Sequence, residues 1–197
     1  TVYQQTVPYG SHFLSEHPCF VGGLSRSQPQ VRSTLEPYDL MIVLGADVLR
    51  MSVWDAVDPL PEDLPIIQIG LNDWEMGKNY AAEMAIGSDV RETLKALTPV
   101  LKERGGSQLA DAATKRMAAL ASKNWSANRA SLIEKIESEG SGEPINPDWL
   151  MLQISEALPD NGIIVNEGVT ASRYLNDIHP YRERHDFHGL ASGGIGW

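Results

Sequence analysis

Asp39-Leu-Met-Ile-Val-Leu44, closed by Gly45, and Leu64-Pro-Ile-Ile-Gln-Ile69, closed by Gly70, are short, nearly continuous apolar runs. A strand with one face in water alternates apolar and polar residues. A run without alternation suits a strand covered on both faces, as in a parallel sheet flanked by helices. Before the first run, Ser27 is placed to cap a helix that has Pro29 in its first turn and turns Val31 and Leu35 inward. After the second, Ser88-Asp89 is placed to cap a helix from Val90 to Lys102 with Leu94, Leu97 and Leu101 on one face. Strands and helices distributed in this way predict an α/β layer structure, a Rossmann-like parallel sheet flanked by helices, over residues 1–104.

Two further zones follow. Residues 105–145 form a helical linker: Leu109, Ala113, Met117, Leu120, Leu132, Ile133 and Ile136 recur at helical spacing, with Trp125 between the two groups. The Ser138-Glu-Gly-Ser-Gly-Glu-Pro144 cluster breaks the helical pattern. Residues 146–197 then read as the beginning of a second α/β domain. Asn146 caps a helix with Pro147 at its first position and Trp149, Leu150, Ile154 and Leu158 as its apolar stripe. Pro159-Asp-Asn-Gly162 is a turn, Ile163-Ile-Val165 a buried strand, and Val169 to Leu175 a helix. From His188 to Gly196 the chain is a glycine-dense loop.

Composition narrows the function. In 197 residues, 16 Lys and Arg stand against 26 Asp and Glu, a net charge of −10, which argues against a nucleic-acid surface. No apolar run approaches the roughly 18–20 residues of a membrane helix. A single cysteine, Cys19, can form neither an internal disulfide nor a cysteine zinc cluster, so a cytoplasmic location is expected. The first residue is Thr1, and Gly193-Gly-Ile-Gly-Trp197 is an abrupt end for a domain, so the chain is expected to be a piece of a longer protein.

No local cluster suggests hydrolytic or metal chemistry. The five histidines include the pair His185 and His188, which lacks a third nearby ligand and reads as loop histidines. Cys19, two residues after His17, reads as a structural thiol, and Asn124-Trp-Ser126 is a glycosylation sequon without a secretion signal. Gly45 sits where α/β folds place ligand crevices, but no G-x-G-x-x-G follows. Asn166-Glu-Gly-Val-Thr170 lies at a strand-to-helix turn whose backbone N–H groups and Thr170 hydroxyl suit a phosphate; helix capping is the alternative reading. Glu167 opposes an anion there unless a cation bridges them or its side chain turns away. Gly193-Gly-Ile-Gly196 is either a tight turn or a place where the backbone approaches a ligand closely.

Taken together these segments resemble thiamine-diphosphate-dependent decarboxylases and carboligases. Leu35-Glu-Pro-Tyr-Asp-Leu-Met-Ile-Val-Leu-Gly45, Ile66-Ile-Gln-Ile-Gly-Leu-Asn-Asp-Trp-Glu-Met76 and His17-Pro-Cys-Phe-Val-Gly22 are similar to their central domain. Asn166-Glu-Gly-Val-Thr-Ala-Ser172 and Ala191-Ser-Gly-Gly-Ile-Gly-Trp197 are similar to the opening of their diphosphate-binding domain, so residues 146–197 are expected to be its N-terminal part. Benzoylformate decarboxylase is the nearest subfamily by this resemblance, with acetolactate synthase, a carboligase, next.

The resemblance implies thiamine diphosphate and Mg²⁺ as cofactors and a 2-oxo acid as substrate. By position, Gly168, Val169 and Thr170 would cradle the diphosphate, the Gly193 carbonyl would accept from the cofactor's 4′-amino group, and Ile195, beside Gly194, would wedge the cofactor into its bent form. That bend makes activation an intramolecular proton transfer. No catalytic residue and no metal ligand is expected within the chain. The pyrimidine-binding domain with its catalytic glutamate, and the GDG…N segment that holds Mg²⁺, have no counterpart here, and Glu167 lies on the diphosphate side. Gly189 stands where benzoylformate decarboxylases tend to present an aromatic wall, so an aryl substrate does not carry over.

The implied partners are the rest of a parent enzyme, assembled as a homodimer or homotetramer. A few hydrogen bonds from Val169, Thr170 and Gly193, at about 0.5–1.5 kcal/mol net each, fall near or below the roughly 4.1 kcal/mol of a millimolar complex. Alone, the chain is expected neither to retain cofactor nor to be active. The strand at Ile163–Val165 is expected to lack sheet neighbours within the chain. The remaining alternative for the isolated chain is a non-catalytic Rossmann-like module that spaces domains or binds a nucleotide.

Overall fold

The computed structural model describes residues 1–5, 9–51 and 54–189. The described residues pack as two compact units, one within residues 24–114, the other within residues 1–4, 9–23 and 115–189.

The first of these is built on three parallel strands. β3 (Met41–Leu44) pairs with β4 (Ile66–Gly70), Met41 opposite Ile66, and β4 with β5 (Met84–Gly87), Ile67 opposite Met84. β1 (Val2–Gln4) and β2 (Phe20–Gly23) belong to the other unit. Both expected apolar runs are therefore strands, lying side by side and parallel. Helix α1 (Gln28–Leu35) starts after Ser27 with a proline in its first turn, but the expected Ser27 cap is corrected, since its side chain makes no capping hydrogen bond; Val31 and Leu35 pack on Val43 and Ile66 in one core with Leu64, Val48 and Leu49. Each such side chain contributes about 1.5–3 kcal/mol on burial. Buried polar groups are satisfied: the Gln28 side chain donates to the Val57 carbonyl and accepts from the Asp55 N–H, and Gln68 accepts from the Gly77 N–H.

The expectation of cover on both faces of β3 is corrected. Val43 is buried, but Ile42 (48% exposed) and Leu44 (42%) on the opposite face are not. Helix α2 (Val90–Leu120) begins where expected, with the Glu92 N–H donating to Asp89 Oδ1. It runs on past Lys102 and leaves helical geometry at Gly106 (φ 50°, ψ −146°). Its expected apolar face is open: no residue of α2 is buried, and Leu94 and Leu101 are 38% and 49% exposed. A stripe at helical spacing marks a face that can be buried; a packing partner decides whether it is.

In the other unit, β1 (Val2–Gln4) pairs in parallel with β2 (Phe20–Gly23). Helices α3 (Trp125–Glu139), α4 (Pro147–Ala157) and α5 (Leu175–Ile178) enclose Ile136, Leu152 and Ile178. Both long caps work as the residue types dictate: Asn124 accepts from the Ala127 N–H and Asn146 from the Asp148 N–H. The buried face of α4 differs from expectation. Asp148, Leu152 and Ser155 point inward, while Leu150 and Ile154 are about 40% exposed.

The turn at Pro159–Gly162 forms, with the Gly162 N–H donating to the Pro159 carbonyl. β6 (Ile164–Asn166) follows and pairs in parallel with β7 (Phe187–Gly189), which also bridges Gly10 through His188. Two corrections result. The strand after the turn has a partner within the chain, and it is not buried, since Ile163 and Val165 are 61% and 54% exposed. His188 and Gly189, expected in a loop, belong to a strand.

Candidate cofactor-binding site

The corner after β6 is shaped by its first and third residues. Asn166 Oδ1 accepts the Gly168 N–H at 2.9 Å, an Asx turn that folds the chain back on leaving the strand. A Cβ at residue 168 would meet Ser172 Oγ at 2.5 Å and Ser172 Cβ at 2.9 Å, so only glycine fits without a shift. The helix expected from Val169 to Leu175 does not form there. Residues 169–170 bend, 171–174 form turns, and α5 starts only at Leu175. Two β-branched residues after a glycine propagate a helix poorly, and the Asx turn already holds the chain in a non-helical path.

The corner therefore offers fewer donors than the sequence suggests. The Gly168 N–H is committed to Asn166, and no helix N-terminus adds its dipole. The amides of Val169 and Thr170 and the Thr170 hydroxyl remain; among the described residues none of them has a hydrogen-bond partner. Val169 is 81% exposed. This donor set fits one end of a diphosphate. Glu167, also exposed, is compatible with it when a cation accompanies the anion. The Asx turn was legible from an asparagine two residues before a glycine, a signal the sequence reading passed over.

Strand register places this corner. Asn166 lies opposite Gly189 in the parallel β6–β7 pair. Parallel neighbours run about 4.8 Å apart in one direction, so β6 and β7 end at the same edge of this small sheet, where the Gly168–Thr170 corner follows β6. Gly193, Gly194 and Ile195 lie outside the described residues.

Arg173 closes the turn that follows. Its Nε and Nη2 donate to Asp148 Oδ1 and Oδ2 at 3.3 and 2.6 Å, tying residues 171–174 to the first turn of α4. The guanidinium also lies 4.6 Å from the Tyr174 ring centroid.

The His185 and His188 rings stack 6.3 Å apart, and no group of three metal-ligating side chains occurs among the described residues. Cys19 is half-buried, with Sγ 3.1 Å from Met117 Sδ, and its N–H donates to His17 Nδ1. Gly45 (φ 65°) does line a cleft at the carboxyl ends of β3 and β4, with Asp47, Gly70, Asn72 and Glu75. That cleft holds about 80 Å³, against roughly 300–1,000 Å³ for an ordinary small-molecule pocket. No helix among the described residues is long and apolar enough to cross a membrane.

Parallel strands flanked by helices, continuing into a second small parallel pair, define an α/β protein. Residues 4–97 match the family model described as "Thiamine pyrophosphate enzyme, central domain", and this stretch belongs to that family. YdaP of Bacillus subtilis (strain 168), assigned as a thiamine pyrophosphate-containing protein, is 26% identical over 161 residues, covering 81% of this chain and 25% of its own length. Benzoylformate decarboxylase of Pseudomonas aeruginosa (strain PAO1) is 24% identical over 185 residues, 94% of this chain and 31% of that protein.

The 4-hydroxybenzoylformate decarboxylase structure from Rhodococcus jostii RHA1 superimposes with a TM-score of 0.67 at 20% identity over 97% of this chain and 32% of its own. Benzoylformate decarboxylase from Polynucleobacter necessarius gives 0.67 at 18% identity, over 99% and 33%. These two structures establish the fold. The chain spans about a quarter to a third of the length of its relatives.

Proposed function

We propose that this chain is part of a thiamine-diphosphate- and Mg²⁺-dependent enzyme that cleaves or forms a bond beside the carbonyl of a 2-oxo acid. A decarboxylase of the benzoylformate type is the first reading, an acetolactate synthase-like carboligase the second. The carrying observation is the parallel register of Asn166 with Gly189, which sets the Gly168–Thr170 corner at the end of the sheet where β7 also ends. Its support is the family of residues 4–97 and the decarboxylases among the relatives.

Bound thiamine diphosphate supplies a carbanion-stabilising centre. Residues of this chain bind and orient it. Val169 and Thr170 donate to the diphosphate, Gly168 holds the corner tight, and Gly193, Gly194 and Ile195 take the pyrimidine end. Catalytic acids and Mg²⁺ ligands come from polypeptide outside this chain. In this reading residues 1–104 are the central domain, 105–145 the linker and 146–197 the start of the diphosphate domain, in a cytoplasmic homodimer or homotetramer. The alternative, a nucleotide-binding module, is disfavoured by the small cleft beside Gly45, so the central domain serves as a spacer.

Calorimetry of the full-length protein with thiamine diphosphate and Mg²⁺ tests the proposal. Saturable heat below millimolar cofactor is expected; no heat at millimolar cofactor overturns it.

A further inference from the structure

A corner whose donors are backbone amides works only if the backbone is held. The Gly168–Thr170 corner is exposed on its outer side, and the helix that follows it, α5, is a single turn beginning five residues after Thr170. Three attachments hold the stretch. Asn166 takes the Gly168 N–H, the Leu175 N–H donates to the Ser172 carbonyl, and Arg173 grips Asp148 at two points. The first two are local. Of these three hydrogen-bonded attachments only the third reaches another element, where Tyr174 also packs against Ile136 and Leu152.

Asp148 suits that role. Its side chain is about 10% exposed, it sits in the first turn of α4, and the Asn146 cap fixes its own N–H. The Asn146 side chain in turn donates to Glu139 at the end of α3. The anchor is therefore built into two helices, while the Arg173 side chain remains 59% exposed and is ordered by this pairing and by Tyr174. A two-point guanidinium–carboxylate pair constrains direction as well as distance, which a lysine cannot do.

We infer that Arg173, through Asp148, is a positioning residue for the anion-binding corner. It holds residues 171–174 against α4 so that the Val169 and Thr170 amides keep one orientation. The inference rests on the proposed diphosphate role of that corner and deepens it.

Two measurements on the full-length protein test it: the dissociation constant for thiamine diphosphate with Mg²⁺, by calorimetry, and hydrogen exchange without cofactor at the Gly168 and Leu175 amides, whose hydrogen bonds bracket the stretch that Arg173 holds. R173A is expected to weaken cofactor binding about tenfold and to speed exchange at those two amides, with α3 amides unchanged. D148N is expected to do the same, and D148N/R173A to be no worse than either single variant. Unchanged affinity and exchange in R173A overturn the inference, as do losses that simply add in the double variant. Faster exchange in α3 as well makes the pair a general stabiliser and also overturns it. If R173A does not fold, D148N, which keeps shape and loses charge, carries the same comparison. Wild-type protein that binds no thiamine diphosphate overturns the site's function, and the exchange data then report on the clamp alone.

Discussion

Gly168 and His179 show how single side chains set conditions on this chain. At residue 168 the obstacle is steric: a methyl group would collide with Ser172 Cβ, which no rotation of the hydroxyl relieves. Gly168→Ala is expected to cost about 1–3 kcal/mol, read from urea denaturation. His179 is buried, with Nδ1 2.9 Å from Ser155 Oγ. Burial lowers its pKa, and the cations Arg182 and Arg129 act in the same direction against Asp186.

The folded state therefore binds this proton less readily than the unfolded chain, whose histidine titrates near 6.5. Above that pH the group adds nothing to the balance. As pH falls below it, the unfolded chain is favoured and stability drops. The melting temperature is expected to fall from about pH 6.5 to 5.5, and His179→Gln to flatten that slope. Histidine His12, its pKa also lowered by burial, acts in the same sense, whereas burial raises the Asp177 pKa and opposes the trend at lower pH.

Strands differ in how their backbones are secured. β4 has hydrogen-bonded neighbours on both sides and four of its five residues buried. Among the described residues β6 has one neighbour, and its flanking Ile163 and its Val165 are more than half exposed. Amides of Ile164–Asn166 are therefore expected to exchange faster than those of Ile67–Gly70 in the isolated chain; equal protection would mean that β6 has a further partner. β5 and β7 escaped the sequence reading for a related reason. Met84-Ala-Ile-Gly87 and Phe187-His-Gly189 are too short for a period to emerge, and the strands beside them supply the hydrogen bonds that define them.

The two units have separate cores, Val31, Leu35, Val43 and Ile66 in one, Ile136, Leu152 and Ile178 in the other. Ile66→Ala and Leu152→Ala are each expected to cost about 2–5 kcal/mol. Residue-resolved exchange should show each loss confined to its own unit, and the double variant should show their sum. Loss of protection in both units from either single variant would mean that the units unfold together.

Much of the fold follows from interactions spanning a few residues. Pro29 lies in the first turn of α1, Val31 and Leu35 face inward one turn apart, Asn146-Pro147 starts α4, and Pro159–Gly162 turns, because helix starts and turns are settled by neighbouring side chains and the local backbone. The apolar runs likewise announce β3 and β4, whose continuous apolarity needs no distant partner to be visible. Which faces are covered is another matter. Leu94, Leu101, Leu150 and Ile154 have the spacing of buried residues and lie open, while Asp148 and Ser155 lie inside, because burial depends on elements far along the chain. The candidate site divides in the same way. Asn166 and Gly168 shape the corner locally, but its anchorage at Asp148 and its alignment with Gly189 arise from contacts 20 or more residues apart, which no local pattern encodes.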